Sequence, residues 1–161
     1  MIAIERVDYH DERAVRLRAA MDVETSAVYA DVVAGPDLQA RLTAAFTVDP
    51  ATIVETILVL DDDGRAIAHG ALRPFGEQLE VKRIVVDAAA RGRGVSRVVM
   101  AEMERLALAR GIHSLILQTG DRQLAAIALY ESIGYTPTPV FGAYVGVPFA
   151  VCFEKRLDAP Q

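Results

Sequence analysis

Disulfides, metal ligands and blocks of basic charge are all scarce in this chain. Its 161 residues include one cysteine, Cys152, and three histidines, His10, His69 and His113. A single cysteine closes no internal disulfide, which predicts a reducing, cytoplasmic setting. Cys152 lies in the apolar run FAVCFE and reads as a small buried side chain rather than a nucleophile. None of the histidines stands at a metal-ligand spacing from another or from Cys152, so no metal is expected. The net charge is −5 with no long basic block, which speaks against nucleic acid or an anionic membrane as the partner. No stretch approaches the roughly 20 apolar residues of a membrane span. The opening MIAIERVDYHDER lacks the apolar core of a secretory signal. Repeats, low-complexity tracts and composition shifts are missing too. The length therefore suits one domain over residues 1–161, with 52% apolar residues to build its core.

The patterns that are present alternate between strand and helix. IAIERVDY (2–9) alternates apolar and polar residues as a strand does. Asp11 and Glu12 then open a helix whose buried stripe is predicted at Ala14, Leu17, Met21 and Val28. Gly35-Pro36 breaks it, and DLQARLTAAF forms a second helix. IVETILVL (53–60) and AIAHGALR (66–73) flank Asp63-Gly64, a hairpin signal, and LEVKRIVV (79–86) follows as an antiparallel strand. VSRVVMAEMERLALAR buries Val95, Val98, Val99, Met103 and Leu106 along one helical face and ends at Gly111. With HSLILQT (113–119) behind it, this makes a strand–helix–strand unit whose two strands run parallel. LAAIALYESI (124–133) is a helix closed by Gly134, and AVCFEKRL (150–157) is the last strand. TPTPVFGAYVGVP between them reads as a Pro/Gly-rich loop.

RGRGVS, residues 91–96, joins the parallel strand to its helix, where unpaired backbone N–H groups favour an anion. Glycines there let the chain approach a ligand closely. The nucleotide-triphosphate loop needs Lys and then Ser or Thr after the second glycine, and Val95-Ser96 stands there instead. The dinucleotide fingerprint wants a small residue where Arg97 sits, and an acid where the next strand has Gln118 and Thr119. A nucleotide-dependent oxidoreductase is therefore a distant rival. Arg91, Gly94 and Ser96 fall on the fixed positions of the remaining pattern, Arg/Gln-x-x-Gly-x-Gly/Ala, with serine in place of the usual Gly or Ala. Together with QLAAIALYESIGY, which carries Tyr130 and Gly134-Tyr135, it resembles the GNAT superfamily of N-acetyltransferases. The strand EVKRIVVDAAARGRG and the ending VCFEK resemble a bacterial subgroup of that superfamily. Gln118 departs from the subgroup, which has an acid before Thr-Gly.

The resemblance implies an α+β GNAT fold: a mixed, mostly antiparallel sheet of about seven strands, a central parallel strand–helix–strand unit and about four helices. It implies acetyl-coenzyme A as co-substrate, with no metal, and direct transfer of the acetyl group to an amine. The pyrophosphate would lie on backbone N–H groups of Arg91, Gly92, Arg93, Gly94, Val95, Ser96 and Arg97. The pantetheine arm would run beside Ile84, Val85 and Val86, with Gln123 as a further contact. Tyr130 is the candidate acid toward the departing thiolate. Glu80 is the candidate base, its plainer alternative being an exposed strand residue paired with Lys82. Arg83, Phe141 and Tyr144 are candidates for the acceptor side. Arg83 suits an acceptor with its own carboxylate, and the two aromatics either cover the site or close the core. The acceptor is expected to be a small-molecule amine, with an amino acid as one candidate. Rival readings are protein or peptide acetylation and a non-catalytic acetyl-coenzyme A module. Homodimers are common among proteins of this kind.

Overall fold

The computed structural model describes residues 2–33 and 35–158. Its strands are β1 (Ala3–Arg6), β2 (Glu55–Leu60), β3 (Ala66–Phe75), β4 (Gln78–Val86), β5 (Ser114–Gly120), β6 (Thr136–Thr138) and β7 (Ala150–Arg156). The helices are α1 (Glu12–Val28), α2 (Pro36–Phe46), α3 (Val95–Ala109) and α4 (Leu124–Ser132). All seven strands form one sheet in the order β1-β2-β3-β4-β5-β7-β6. Among the described strands only β4 and β5 pair in parallel, with α3 as the helical crossover between them. The GNAT-type fold expected from the sequence is the fold observed.

Alternation along the strands divides the core between the two faces of the sheet. Leu79, Val81, Leu115 and Leu117 face α3, whose Val95, Val99, Met103 and Leu106 are buried as read from the sequence, while Val98 of the same predicted stripe is only half-buried at its margin. At Gly70 on β3 a Cβ would stand 2.7 Å from Val99 Cγ1, so this glycine lets α3 lie close to the sheet. Ile116 and Cys152 face the other way, against Leu42 and Ala45 of α2 and the aromatic residues 141–149. Ala14 and Leu17 of α1 pack on Leu58 and Val85.

Two expectations need correction. Val28 is exposed, and the buried positions of α1 are Ala14, Leu17 and Arg18, with Tyr29 just past the helix end. The burial of Arg18 and Tyr29 reflects hydrogen-bonding partners across the fold, which helical periodicity does not register. The stretch read as an irregular loop also contains β6, whose Thr136–Thr138 pairs with β7 through Thr136↔Glu154, Pro137↔Phe153 and Thr138↔Cys152. Its proline is tolerated because β6 is the sheet edge.

Candidate active site

The sheet opens at its centre. β4 and β5 pair only over Leu79–Val81 and Leu115–Leu117, although they run on to Val86 and Gly120. β5 stays bound to β7 along its whole length, so the departure belongs to β4. It begins at a bulge: the register between β3 and β4 shifts between His69 and Ala71, and Arg83 opposite takes φ +57°. A non-glycine residue with positive φ persists only when its surroundings hold it. Here His69, fully buried, does so. Arg18 Nη1 lies 2.9 Å from His69 Nε2, and an arginine can only donate, so Nε2 accepts and the ring proton sits on Nδ1. That N–H donates to the Arg83 carbonyl at 2.7 Å. Desolvation lowers the His69 pKa to about 4, which keeps the ring neutral.

Between the diverging strands lies a cavity of about 890 Å³. One end is the glycine loop. Gly92 and Gly94 have φ +78° and +75°, and Gly94 precedes Val95, the first residue of α3, with no side chain capping that helix. Arg91, Gly92, Gly94, Val95 and Ser96 line this end, with Ile84, Val85 and Val86 along the β4 edge. Arg91 donates to the Val86 carbonyl at 3.1 Å and pairs with Glu24 at 2.7 Å, tying the loop to α1. Arg93 and Arg97 stand outside the lining, and Arg97 donates to Ser132 Oγ at 2.8 Å. Gln123, which precedes α4, and Tyr130 also line the cavity. Burial pushes the Tyr130 phenol up to about 12, so it carries its proton at neutral pH.

The other end is walled by α1, α2 and Phe149. Tyr29 stacks on Phe149 at 4.2 Å, and Leu42 and Phe46 complete an apolar surface. Lys82 and Gln118 face it from the two diverging strands. Lys82 is 9% exposed, donates to the Tyr144 hydroxyl, and lies 3.6 Å from Glu80 Oε2. Desolvation lowers its pKa to about 8. Glu80 does not reach the cavity and is not the exposed residue of the plainer alternative. It is 1% exposed, held by Arg73 Nε at 2.7 Å and by the Tyr144 hydroxyl at 2.6 Å. Phe141 and Tyr144 lie under the cavity wall, packed on each other at 5.3 Å. Arg83 lines the cavity and pairs with Asp22 of α1.

Unpaired strand edges, a glycine cradle and an uncapped helix start together fit a long ligand with an anionic end. The family model of the acetyltransferase (GNAT) family matches residues 21–135. The chain belongs to the GNAT acetyltransferase family. This GNAT protein is thus an acyltransferase. It is 35% identical over 102 residues to the IAA acetyltransferase of Azospirillum brasilense, covering 62% of this chain and 67% of that one. Over 93 residues it is 36% identical to the mycothiol acetyltransferase of Beutenbergia cavernae, covering 56% of this chain but 31% of the relative. Among solved structures, a Klebsiella pneumoniae protein assigned as an acyl-CoA N-acyltransferase superimposes with a TM-score of 0.80 at 29% identity, covering 98% and 99% of the two chains. A GNAT acetyltransferase from Elizabethkingia anophelis, solved with acetyl-CoA bound, shares the fold with a TM-score of 0.69 at 15% identity, over 97% and 98% of the chains.

Sequence reasoning missed Tyr29, Leu42, Phe46 and Phe149 as cavity residues, and it treated Lys82 only as a partner of Glu80. One signal was available: a lysine and a glutamate two apart on a strand share a face, and here that face is buried. Among the described residues there is no cluster fit to hold a metal and no helix long and apolar enough to cross a membrane.

Proposed function

We propose that this GNAT protein is an acetyl-CoA-dependent N-acetyltransferase acting by direct transfer on the primary amine of a small molecule, an amino acid among the candidates. The observation that carries this reading is a single cavity lined by the unpaired β4 edge, the uncapped start of α3 and Tyr130. When bound, acetyl-CoA supplies the acetyl group as an activated thioester. Backbone N–H groups from Arg91 to Ser96 would hold its pyrophosphate, and Ile84–Val86 with Gln123 would hold its arm. An N–H of Val85 or Val86 is the proposed donor to the thioester carbonyl. Overall the N–C bond forms and the C–S bond breaks. The acceptor ammonium yields two protons, one leaving to solvent and one ending on the thiol.

Tyr130 is the proposed donor of that last proton, being protonated and lining the same cavity. Glu80 we assign a supporting role, since its carboxylate is sealed beneath Tyr144 and Lys82. A small acceptor is favoured over a protein because α1, α2 and Phe149 wall the acceptor end. The test is thiol release from acetyl-CoA across a panel of amines and amino acids, beside thermal-shift assays with acetyl-CoA and NAD. Turnover with at least one acceptor, and stabilisation by acetyl-CoA, are expected. Stabilisation by NAD alone would remove the reading, and acetyl-CoA binding without thiol release would leave a binding module. Tyr130→Phe should cut kcat about 100-fold while the KM for acetyl-CoA stays within about twofold.

A further inference from the structure

We infer that the acceptor is an amino acid with a free α-carboxylate and a large apolar side chain, and that Lys82 receives the carboxylate. This rests on the acetyltransferase reading above. Five charged residues line the cavity: Asp22, Glu24, Lys82, Arg83 and Arg91. Four of them form two neutral pairs, Arg83 with Asp22 and Arg91 with Glu24. Arg83, the residue the sequence offered for a carboxylate, therefore already has its counter-charge within the protein.

Lys82 is in a different position. Its neighbouring carboxylate, Glu80, is shared with Arg73, which lies closer to it, at 2.7 Å against 3.6 Å. Arg73, Lys82 and Glu80 thus carry two positive charges and one negative, and the Tyr144 hydroxyl bridging them is neutral because burial raises its pKa. An excess cation largely removed from water favours an anion beside it. Lys82 is the member of the cluster that lines the cavity. A lysine also has three donors; one goes to Tyr144 and a second is turned to Glu80 at 3.6 Å, which leaves a third for a ligand.

Gln118 stands level with Lys82 across the opening, because Val81 pairs with Leu117 and both residues come next in their strands. The Gln118 amide N–H is turned to the Thr119 carbonyl at 2.7 Å, which leaves its side-chain oxygen as an acceptor for the ammonium of the same ligand. Beyond these two groups the walls are apolar: Tyr29, Leu42, Phe46 and Phe149. A carboxylate and an amine at one end and an apolar body at the other match that distribution.

The experiment compares matched acceptors by thiol release: phenylalanine, leucine and tyrosine against phenethylamine, isoamylamine and tyramine, with phenylalaninamide as the uncharged isostere. For the wild-type protein, kcat/KM should favour each amino acid over its decarboxylated partner by about tenfold to a hundredfold, the worth of one charge-assisted hydrogen bond. Lys82→Met should collapse that ratio toward one, and Lys82→Arg should restore part of it. Equal turnover of amino acids and amines by the wild-type protein overturns the inference without needing a variant. So does a Lys82→Met protein in which both classes fall by the same factor, since Lys82 would then serve the chemistry rather than recognition. Absence of thiol release with every acceptor, amines included, would overturn the acetyltransferase reading itself and this inference with it.

Discussion

The two ends of the cavity are built from different materials. The donor end is backbone: positive-φ glycines, the uncapped start of α3 and the edge of β4. The acceptor end is side chains from α1, α2, β4, β5 and the segment before β7. A backbone site is set by a short run of residues and keeps its shape while its side chains vary. A side-chain site depends on distant segments meeting, so it can be re-specified one residue at a time. On the proposed reading the molecule pairs a fixed donor site with an adjustable acceptor site, joined at the bulge at Arg83.

That junction yields the largest expected effect. His69 is held neutral between Arg18 of α1 and the Arg83 carbonyl, with the Tyr9 ring 6.4 Å away and the Arg83 and Asp22 side chains paired nearby. Its folded pKa of about 4 lies below the ordinary 6.5, so the unfolded chain binds more protons between those values. The stability it contributes is present above pH 6.5 and is lost as pH falls through about 4, to a total of about 3 kcal/mol. Urea unfolding between pH 4 and 7 should show this slope, and His69→Asn, which retains an N–H for the Arg83 carbonyl, should flatten it. An unchanged slope in the variant would place the acid sensitivity elsewhere and leave the bulge without its proposed anchor.

A second effect belongs to the acceptor end alone. A Cβ at Gly120 would lie 2.0 Å from the Tyr29 hydroxyl, so Gly120→Ala must displace a ring that stacks on Phe149 and accepts a hydrogen bond from the Arg122 N–H at 2.8 Å. Overpacking of this kind costs about 2 kcal/mol. If the two ends are independent, calorimetry should find acetyl-CoA affinity within about threefold of wild type while acceptor KM rises at least about tenfold. A matched loss of both would merge the two ends into one unit.

The same contrast explains what could be read from the sequence. The helices, the parallel unit and the glycine loop were readable because each is set by neighbours: Gly94 before Val95, or apolar residues at helical spacing. β6 was hidden because three residues containing a proline carry no alternation, and only pairing with β7 makes them a strand. Tyr29 and Phe149 are 120 positions apart and became one wall only in the fold. Glu80 looked like a candidate for the cavity because its strand could be placed, yet which face of that strand is covered depends on Tyr144 and Arg73 arriving from elsewhere.

The smallest effect on stability tests the donor end most cleanly, because the fold supplies a matched control. Gly94 and Gly64 have nearly the same φ, +75° and +79°, and an added Cβ would meet no atom within 4 Å at either. Alanine at either position should therefore cost about 1 kcal/mol of stability through backbone strain alone. Gly64 lies in the β2–β3 hairpin and does not line the cavity, whereas Gly94 does. If the loop holds the pyrophosphate, Gly94→Ala should raise the Kd for acetyl-CoA at least about tenfold by calorimetry, and Gly64→Ala should leave it within about twofold. Equal behaviour of the two variants in both measurements would mean that Gly94 only shapes the chain, and the donor end would then need another anion contact.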